Sequence, residues 1–201
     1  MSDKAYPSDI FEDSGCRLPP VQRDRLDAVG KEIYDAHVEP GGGSIAGLWG
    51  PGGIKLHSPR ISEHTRELTR YLRREDTFAA ALREVAILVT ARECDSQFEW
   101  TAHEPLALEA GVTQATVDAI KYRKDLAGLA ELDAAVIQLG REIFAERRVS
   151  SATFARALAL FGRRTLVDLV SLMANYAGTA ALLCAFDLRI RPGKEPLLPE
   201  V

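Results

Sequence analysis

Apolar residues recur along most of this chain three or four positions apart, and no run alternates with a strand's period of two. Residues 21–38 place Leu26, Val29, Ile33 and Tyr34 at helical spacing, and Pro19-Pro20 suits the first turn of a helix there. Ser58-Pro59 is a second start signal, and residues 60–74 follow with Ile61, His64, Leu68, Tyr71 and Leu72 on one side. Asp76 or Thr77 caps a helix over residues 78–93. Phe78, Leu82, Val85, Ala86, Ile87, Leu88 and Val89 are so closely spaced in it that it must be buried on most sides. Asp95 or Ser96 caps the next helix, which Pro105 is expected to kink and Gly111 to end. Thr113 caps a short helix to Tyr122. Residues 132–147 form an amphipathic one, with Leu132, Val136, Leu139, Ile143 and Phe144 inward. Ser150 and Ser151 cap a helix through Phe161, Gly162 breaks it, and residues 166–186 form the last long helix. The pattern predicts an all-α fold of about eight helices.

Three stretches fall outside that pattern. Residues 1–18 are polar and read as a loose arm suited to wrapping a neighbouring subunit. Residues 187–201, with Pro192, Pro196 and Pro199, read as an extended tail, which leaves residues 19–186 as a single helical domain. Residues 40–59 hold seven glycines and three prolines, a density in which no regular element is expected. Yet Ile45, Leu48, Trp49, Ile54, Leu56 and His57 lie there, so the loop either packs on the core or forms a lid or pocket wall. In the last helix, A-N-Y-A-G-T-A-A is small enough for close approach, within the monomer or between subunits.

A length of 201 residues fits one domain with a sizeable core. The net charge of -4, with no basic stripe, argues against nucleic acid as a partner. Cys16, Cys94 and Cys184 are far apart, and no CxxC or Cys/His metal spacing occurs; neither a disulfide scaffold, a zinc site nor a dithiol redox centre is expected. The first residues hold no apolar signal core, and the apolar run over residues 177–186 is too short for a bilayer. A cytoplasmic setting without a membrane partner is the expectation.

The chemistry concentrates in residues 84–103. Glu99 and His103 stand four apart, one turn along the same helical face. A carboxylate beside an imidazole can fix its tautomer and raise its basicity. Ser96 falls on the same stripe, and Glu84, one helix earlier, is placed to point into the same groove. Residue by residue, other readings stand: Glu99 and His103 as a surface pair, Glu84 as a partner for Arg83 or Arg92, Trp100 as core, His37 and His64 as solvated side chains.

R-E-V-A-I-L-V-T-A-R, then F-E-W-T-A-H, then A-L-E-A-G-V-T resembles the carboxymuconolactone decarboxylase family of the alkylhydroperoxidase-D-like superfamily. F-G-R-R-T-L-V-D-L-V-S-L-M-A-N-Y and L-L-C-A-F are similar to its final helix, and the match spans roughly residues 68–186. L-P-P-V-Q-R-D-R-L-D-A, G-L-W-G-P and L-H-S-P resemble the longer members. The resemblance implies an all-helical fold that assembles as a homotrimer or homohexamer, with a dimer also open. The peroxidase branch reduces peroxides with a CxxC pair before a histidine and a glutamate upstream. On this chain the histidine falls on His103 and the glutamate on Glu84, while the cysteines fall on Ser96 and Glu99. Without a thiolate nucleophile, the resemblance implies the non-redox branch, whose founding activity is decarboxylation of a carboxylated unsaturated lactone. Gly52-Gly53 replaces the usual aromatic after the glycine-proline step, and the small residues of the last helix replace bulkier ones. Both changes point to a different substrate.

The expected function is therefore a cofactor-free and metal-free lyase, or related isomerase, on a small oxygenated anionic substrate. His103, Glu99 and Glu84 are the expected catalytic residues: His103 as general acid/base, Glu99 as its orienting partner or second proton carrier, Glu84 holding the cluster in register. His57, Trp49, Trp100, Ser96 and Arg60 are the expected substrate contacts. The alternatives are a peroxide reductase, disfavoured by the missing CxxC, and a non-catalytic oligomeric small-molecule-binding protein.

Overall fold

A computed structural model describes residues 6–39, 45–74 and 79–199. Among them are eight α-helices and no strand, so the fold is all-α as the periodicity predicts; a lone bridge joins Phe11 and Cys16. The helices are α1 (Ala28–Val38), α2 (Pro51–Lys55), α3 (Pro59–Arg74), α4 (Ala80–Glu93), α5 (Gln97–Glu109), α6 (Gln114–Lys121), α7 (Glu131–Arg141) and α8 (Ser151–Ala185).

The chain divides into two compact units rather than one domain with an arm and a tail. Residues 1–69 and 182–194 make the first; residues 70–181 and 195–201 make the second. In the first unit the helix expected from residue 21 starts later. Residues Arg23–Arg25 form only a 3-10 turn, and Asp27 opens α1 by accepting the backbone N–H of Gly30. The segment expected to be a loose arm is tied down. Arg17 N–H donates to the Phe186 carbonyl at 2.9 Å, and Arg189 N–H to the Gly15 carbonyl at 2.8 Å. The glycine-rich stretch also departs from expectation, because Pro51 starts the short helix α2 and carries Ile54 into the core. Ile61 and Leu68, expected on an inward stripe of α3, are exposed, whereas Leu72 is buried.

The second unit is organised around α4. Every residue from Glu84 to Arg92 is buried, as the uninterrupted apolar run requires, and α5, α6 and α7 all pack against this helix. The expected caps Asp76 and Thr77, with Phe78, lie outside the described residues. Thr113 caps α6 through the Thr116 N–H, and Ser150 caps α8 through the Thr153 N–H. The amphipathic helix expected over residues 132–147 changes character at Glu142, where five residues take π geometry. There the buried Glu142 carboxylate accepts from Ser150 N–H and Thr153 Oγ1, reinforcing the start of α8. The helical geometry breaks at Gly162, where φ is 69° and ψ is 172°, as expected. The end of the chain folds back instead of extending freely. The Gln97 side-chain amide exchanges two hydrogen bonds of 2.7 Å with the Leu198 backbone, and Leu198 is buried.

Where the ten-residue apolar run suggested too little length, α8 as a whole contains an 18-residue window of mean hydropathy 1.5. By length and composition it is sufficient to cross a membrane. Of that window, 44% is buried inside the protein, a pattern that core helices of soluble proteins share.

Helices α4 and α7 meet at Gly140, where an added Cβ would stand 2.7 Å from Cγ1 of Val89 and 2.9 Å from its Cγ2. Val89 is β-branched and stiff in a helix, so it cannot swing clear. Gly140→Ala is expected to cost about 1–2 kcal/mol by overpacking, despite alanine's better helix propensity. Adding Val89→Ala to that variant should cost less than Val89→Ala does in the wild-type background. Urea unfolding of the double-mutant cycle measures both.

Candidate functional site

The F-E-W-T-A-H segment becomes the first two turns of α5, and α5 packs against α4. Ser96 occupies the N-cap position of α5, as expected for one of the two candidate caps, but its side chain makes no capping bond. Asp95 does not cap either. It takes a left-handed φ of 47° and accepts a hydrogen bond from Arg92. Pro105 is accommodated inside α5.

This packing brings Glu84, Glu99 and His103 together with their side chains 4%, 6% and 1% exposed, which removes the surface-pair reading. His103 Nδ1 lies 2.7 Å from Glu84 Oε2. A carboxylate only accepts, so Nδ1 carries the proton and Glu84 fixes the ring. Glu99 Oε2 stands 3.6 Å from Nε2, near enough for charge interaction and too far for a hydrogen bond. Of the two roles expected for Glu99, the orienting one falls to Glu84, from the previous helix, and Glu99 faces the other nitrogen.

Burial pushes the Glu84 carboxyl upward. The hydrogen bond and charge of His103, with the charges of Arg73 and Arg83, outweigh this and leave Glu84 below its ordinary pKa. Arg83 Nε is 3.6 Å from Glu84 Oε1, so of the two arginines considered beside Glu84 it is Arg83 that adjoins it. Arg92 instead engages Asp95 and the Lys121 carbonyl.

Tyr176, on α8, is a member of the cluster that periodicity did not single out. Its ring meets His103 edge-to-face, with centroids 5.2 Å apart and planes at 86°. Burial raises the phenol's pKa strongly. Arg73 pulls it back, and the negative charges of Glu99 and Glu84 add to the rise, so the hydroxyl keeps its proton at neutral pH. The available signal was one aromatic within a run of small residues, which says nothing about what the ring would meet.

The remaining expected contacts have other partners. Trp100 is fully buried, gives its indole N–H to Glu104, and has Lys121 Nζ 5.8 Å from its ring centroid; it is a core residue. Trp49, His57 and Arg60 belong to the first unit. Trp49 donates to the Arg189 carbonyl at 3.0 Å, and the exposed His57 pairs with the Pro19 carbonyl at 3.0 Å. Arg60, with its side chain 72% exposed, pairs with Glu63. His37 is half-buried, bonded through Nδ1 to the Ile33 carbonyl, and His64 is exposed.

Among the described residues no group of three or more His, Cys, Asp and Glu side chains is arranged to hold a metal ion. A cavity of about 540 Å³ opens elsewhere in the second unit, between the 125–129 turn and α7, and none of the His103 cluster lines it. Its charged lining mixes Asp125 and Glu131 with Arg141 and Arg156, which selects no ligand charge. No protein-family model matches the chain, and no curated protein matches it.

Because Glu84 is depressed in the folded state, between its folded pKa and the ordinary 4.5 the unfolded chain binds the extra proton. Its contribution is complete above 4.5 and is lost as pH falls through the folded value. Glu84→Gln is therefore expected to lower stability by about 1–3 kcal/mol at pH 7 and to flatten the acid limb of the stability profile. Urea midpoints collected from pH 3 to 7 test this; parallel profiles would refute the role given to the carboxylate.

Proposed function

We propose that this protein is a cofactor-free lyase of the decarboxylase type, or a related isomerase, acting on a small carboxylated lactone or similar oxygenated anion. The observation that carries the reading is a buried imidazole held through Nδ1 by one carboxylate while a second faces its Nε2. Such an arrangement suits proton transfer at Nε2. Glu84 holds the ring through Nδ1, and Glu99 is a second carboxylate in the field of Nε2.

Decarboxylation without a cofactor needs an electron sink in the substrate. In a carboxylate β or vinylogous to a carbonyl, the bond between carbon and carboxylate breaks and carbon dioxide leaves. The electron pair moves into the conjugated carbonyl as an enolate; the imidazolium form of His103 gives its Nε2 proton to carbon as the enolate collapses, and the neutral ring takes up a proton from solvent for the next turnover. An isomerase would use the same proton carrier to remove and return a proton beside the carbonyl. The low exposure of the cluster supports either course, since excluded water strengthens each electrostatic contact.

Peroxide reduction is the second reading, and one observation bears on it. Cys94 is the cysteine nearest α5 in sequence; it is exposed, and partial desolvation of its thiol together with the charges of Asp95 and Glu93 raises its pKa, the opposite of what a peroxide-reducing thiolate needs. Self-association is part of the proposal. Val167 and Val170 are exposed on α8 at 64% and 37%, on the side that continues through the exposed Ala174, Gly178 and Ala181. A second copy is the natural cover for such a face.

The test is release of carbon dioxide from a panel of lactone carboxylates and β-oxo acids. His103→Gln is expected to lose roughly 10²–10⁴-fold in turnover. Its circular dichroism and its mass by light scattering should match the wild type. Cys94→Ser should retain full activity. Binding without turnover of any panel member would favour a non-catalytic binding protein, and thiol-dependent peroxide consumption lost in Cys94→Ser would favour the reductase.

A further inference from the structure

The cluster around His103 has an electrostatic problem. Two acidic side chains flank the ring, and an anionic substrate approaching Nε2 meets both. Like charges repel most strongly where water is excluded, so a cation nearby favours such a substrate. Two arginines act by charge on Glu84, Arg73 and Arg83, and of these Arg83 stands in ion-pair contact with it, Nε 3.6 Å from Oε1.

Arg83 differs from its neighbours in two ways. Its side chain is 20% exposed where Glu84 is 4% and His103 is 1%, so it reaches from the cluster toward solvent. Its hydrogen bonding is also incomplete. Nη1 donates to the Arg73 carbonyl at 2.7 Å, whereas Nε is buried and has no hydrogen-bond partner. The nearest acceptor, Glu84 Oε1, is 3.6 Å away, and the other oxygen of that carboxylate already serves His103. A buried guanidinium N–H left unbonded is costly, and it is the edge that engages a carboxylate in side-on pairing.

We propose that Arg83 is the residue that receives the substrate's carboxylate, docking a small organic acid against the outer edge of the Glu84–His103 pair. The inference rests on the reading of His103 as the proton carrier and adds the class of ligand: a carboxylate, not a neutral lactone or ester. The guanidinium takes two parallel hydrogen bonds to the acid and offsets the charge of Glu84, holding the acid at the edge of the cluster. The exposed Arg60, paired with Glu63, is not needed for this task.

The probe is 5-oxotetrahydrofuran-2-carboxylate, with its methyl ester as the neutral control, titrated into the 15N-labelled full chain. Arg83→Lys and His103→Gln spectra assign the Arg83 Nε–H and His103 ring signals. The acid is expected to shift the Arg83 Nε–H resonance to saturation, and the ester to leave it in place. Arg83→Gln should weaken binding of the acid by roughly tenfold or more, the value of one charge-assisted pair. Its ligand-free His103 signals should remain native-like, which guards against an unfolded variant. Arg83→Lys should recover part of the affinity, since it restores charge without the planar fork. If the acid shifts the His103 signals while Arg83 Nε–H stays still, the assignment to Arg83 falls and the reading of His103 stands. If acid and ester move Arg83 equally, a carboxylate is not what Arg83 selects. If neither compound moves either residue, both readings fall together.

Discussion

The structure depends on one hydrogen bond between two buried groups, His103 Nδ1 to Glu84 Oε2, linking α5 to α4. Neither group would be tolerated alone at that depth. An isolated buried carboxylate costs enough that it normally takes up a proton, and an isolated buried imidazole stays neutral. Together they satisfy each other, and the ring acquires a fixed tautomer as a consequence. The geometry that gives the imidazole its chemical character is therefore the geometry that lets it be buried.

What surrounds the pair follows from the same constraint. A helix buried on every side has no solvent face on which to put a charge. Yet α4 carries Arg83, Glu84 and Arg92 along its length. Each is compensated locally: Glu84 by His103 and Arg83, Arg92 by Asp95 and the Lys121 carbonyl. Arg83 is compensated only in part. One nitrogen reaches the Arg73 carbonyl while Nε remains without a hydrogen bond, 3.6 Å from Glu84 Oε1. Incomplete satisfaction at a buried charge is unusual in a core and common where a ligand completes the set. The cluster of Glu104 and Trp100 on α5 with Lys121 on α6 makes a useful contrast. Its charges are paired internally, the indole N–H is satisfied, and the group reads as structure rather than chemistry.

Helix existence was legible because the apolar period is strong. The density of α4, the caps Thr113 and Ser150, and the break at Gly162 all act over a few residues and are written in those residues. The first helix was misjudged because Pro19-Pro20 is a local signal that competes with Asp27, and Asp27 has the side chain that can satisfy a free N–H. The short α2 was hidden by its glycines, which lower helix propensity, although Pro51 and a buried Ile54 override them. The division into two units and the docking of Leu198 on Gln97 depend on contacts about a hundred residues apart in sequence, which no window reveals. At the site, the four-residue spacing of Glu99 and His103 was readable. Which carboxylate holds the ring was not, because spacing within one helix favours Glu99 whereas interhelical packing brings Glu84 closer. Tyr176 depends on the course of α8 after Gly162 and left no trace in periodicity.

The order of these two acids along the proton's path is itself an argument about direction. Glu84 is bonded to Nδ1, so transfer through that contact would only move a proton between partners already satisfied. Glu99 stands off Nε2 by 3.6 Å, a separation that leaves that nitrogen without a bond to Glu99 yet within its field. Tyr176, kept protonated by burial, adds a neutral wall rather than a competing charge. In the proposed reaction the working nitrogen is Nε2, which Glu99 faces, and the anchoring one is Nδ1. An anion can approach Nε2 only if something outside the pair cancels the negative charge gathered there, and that places the requirement on the guanidinium next to Glu84.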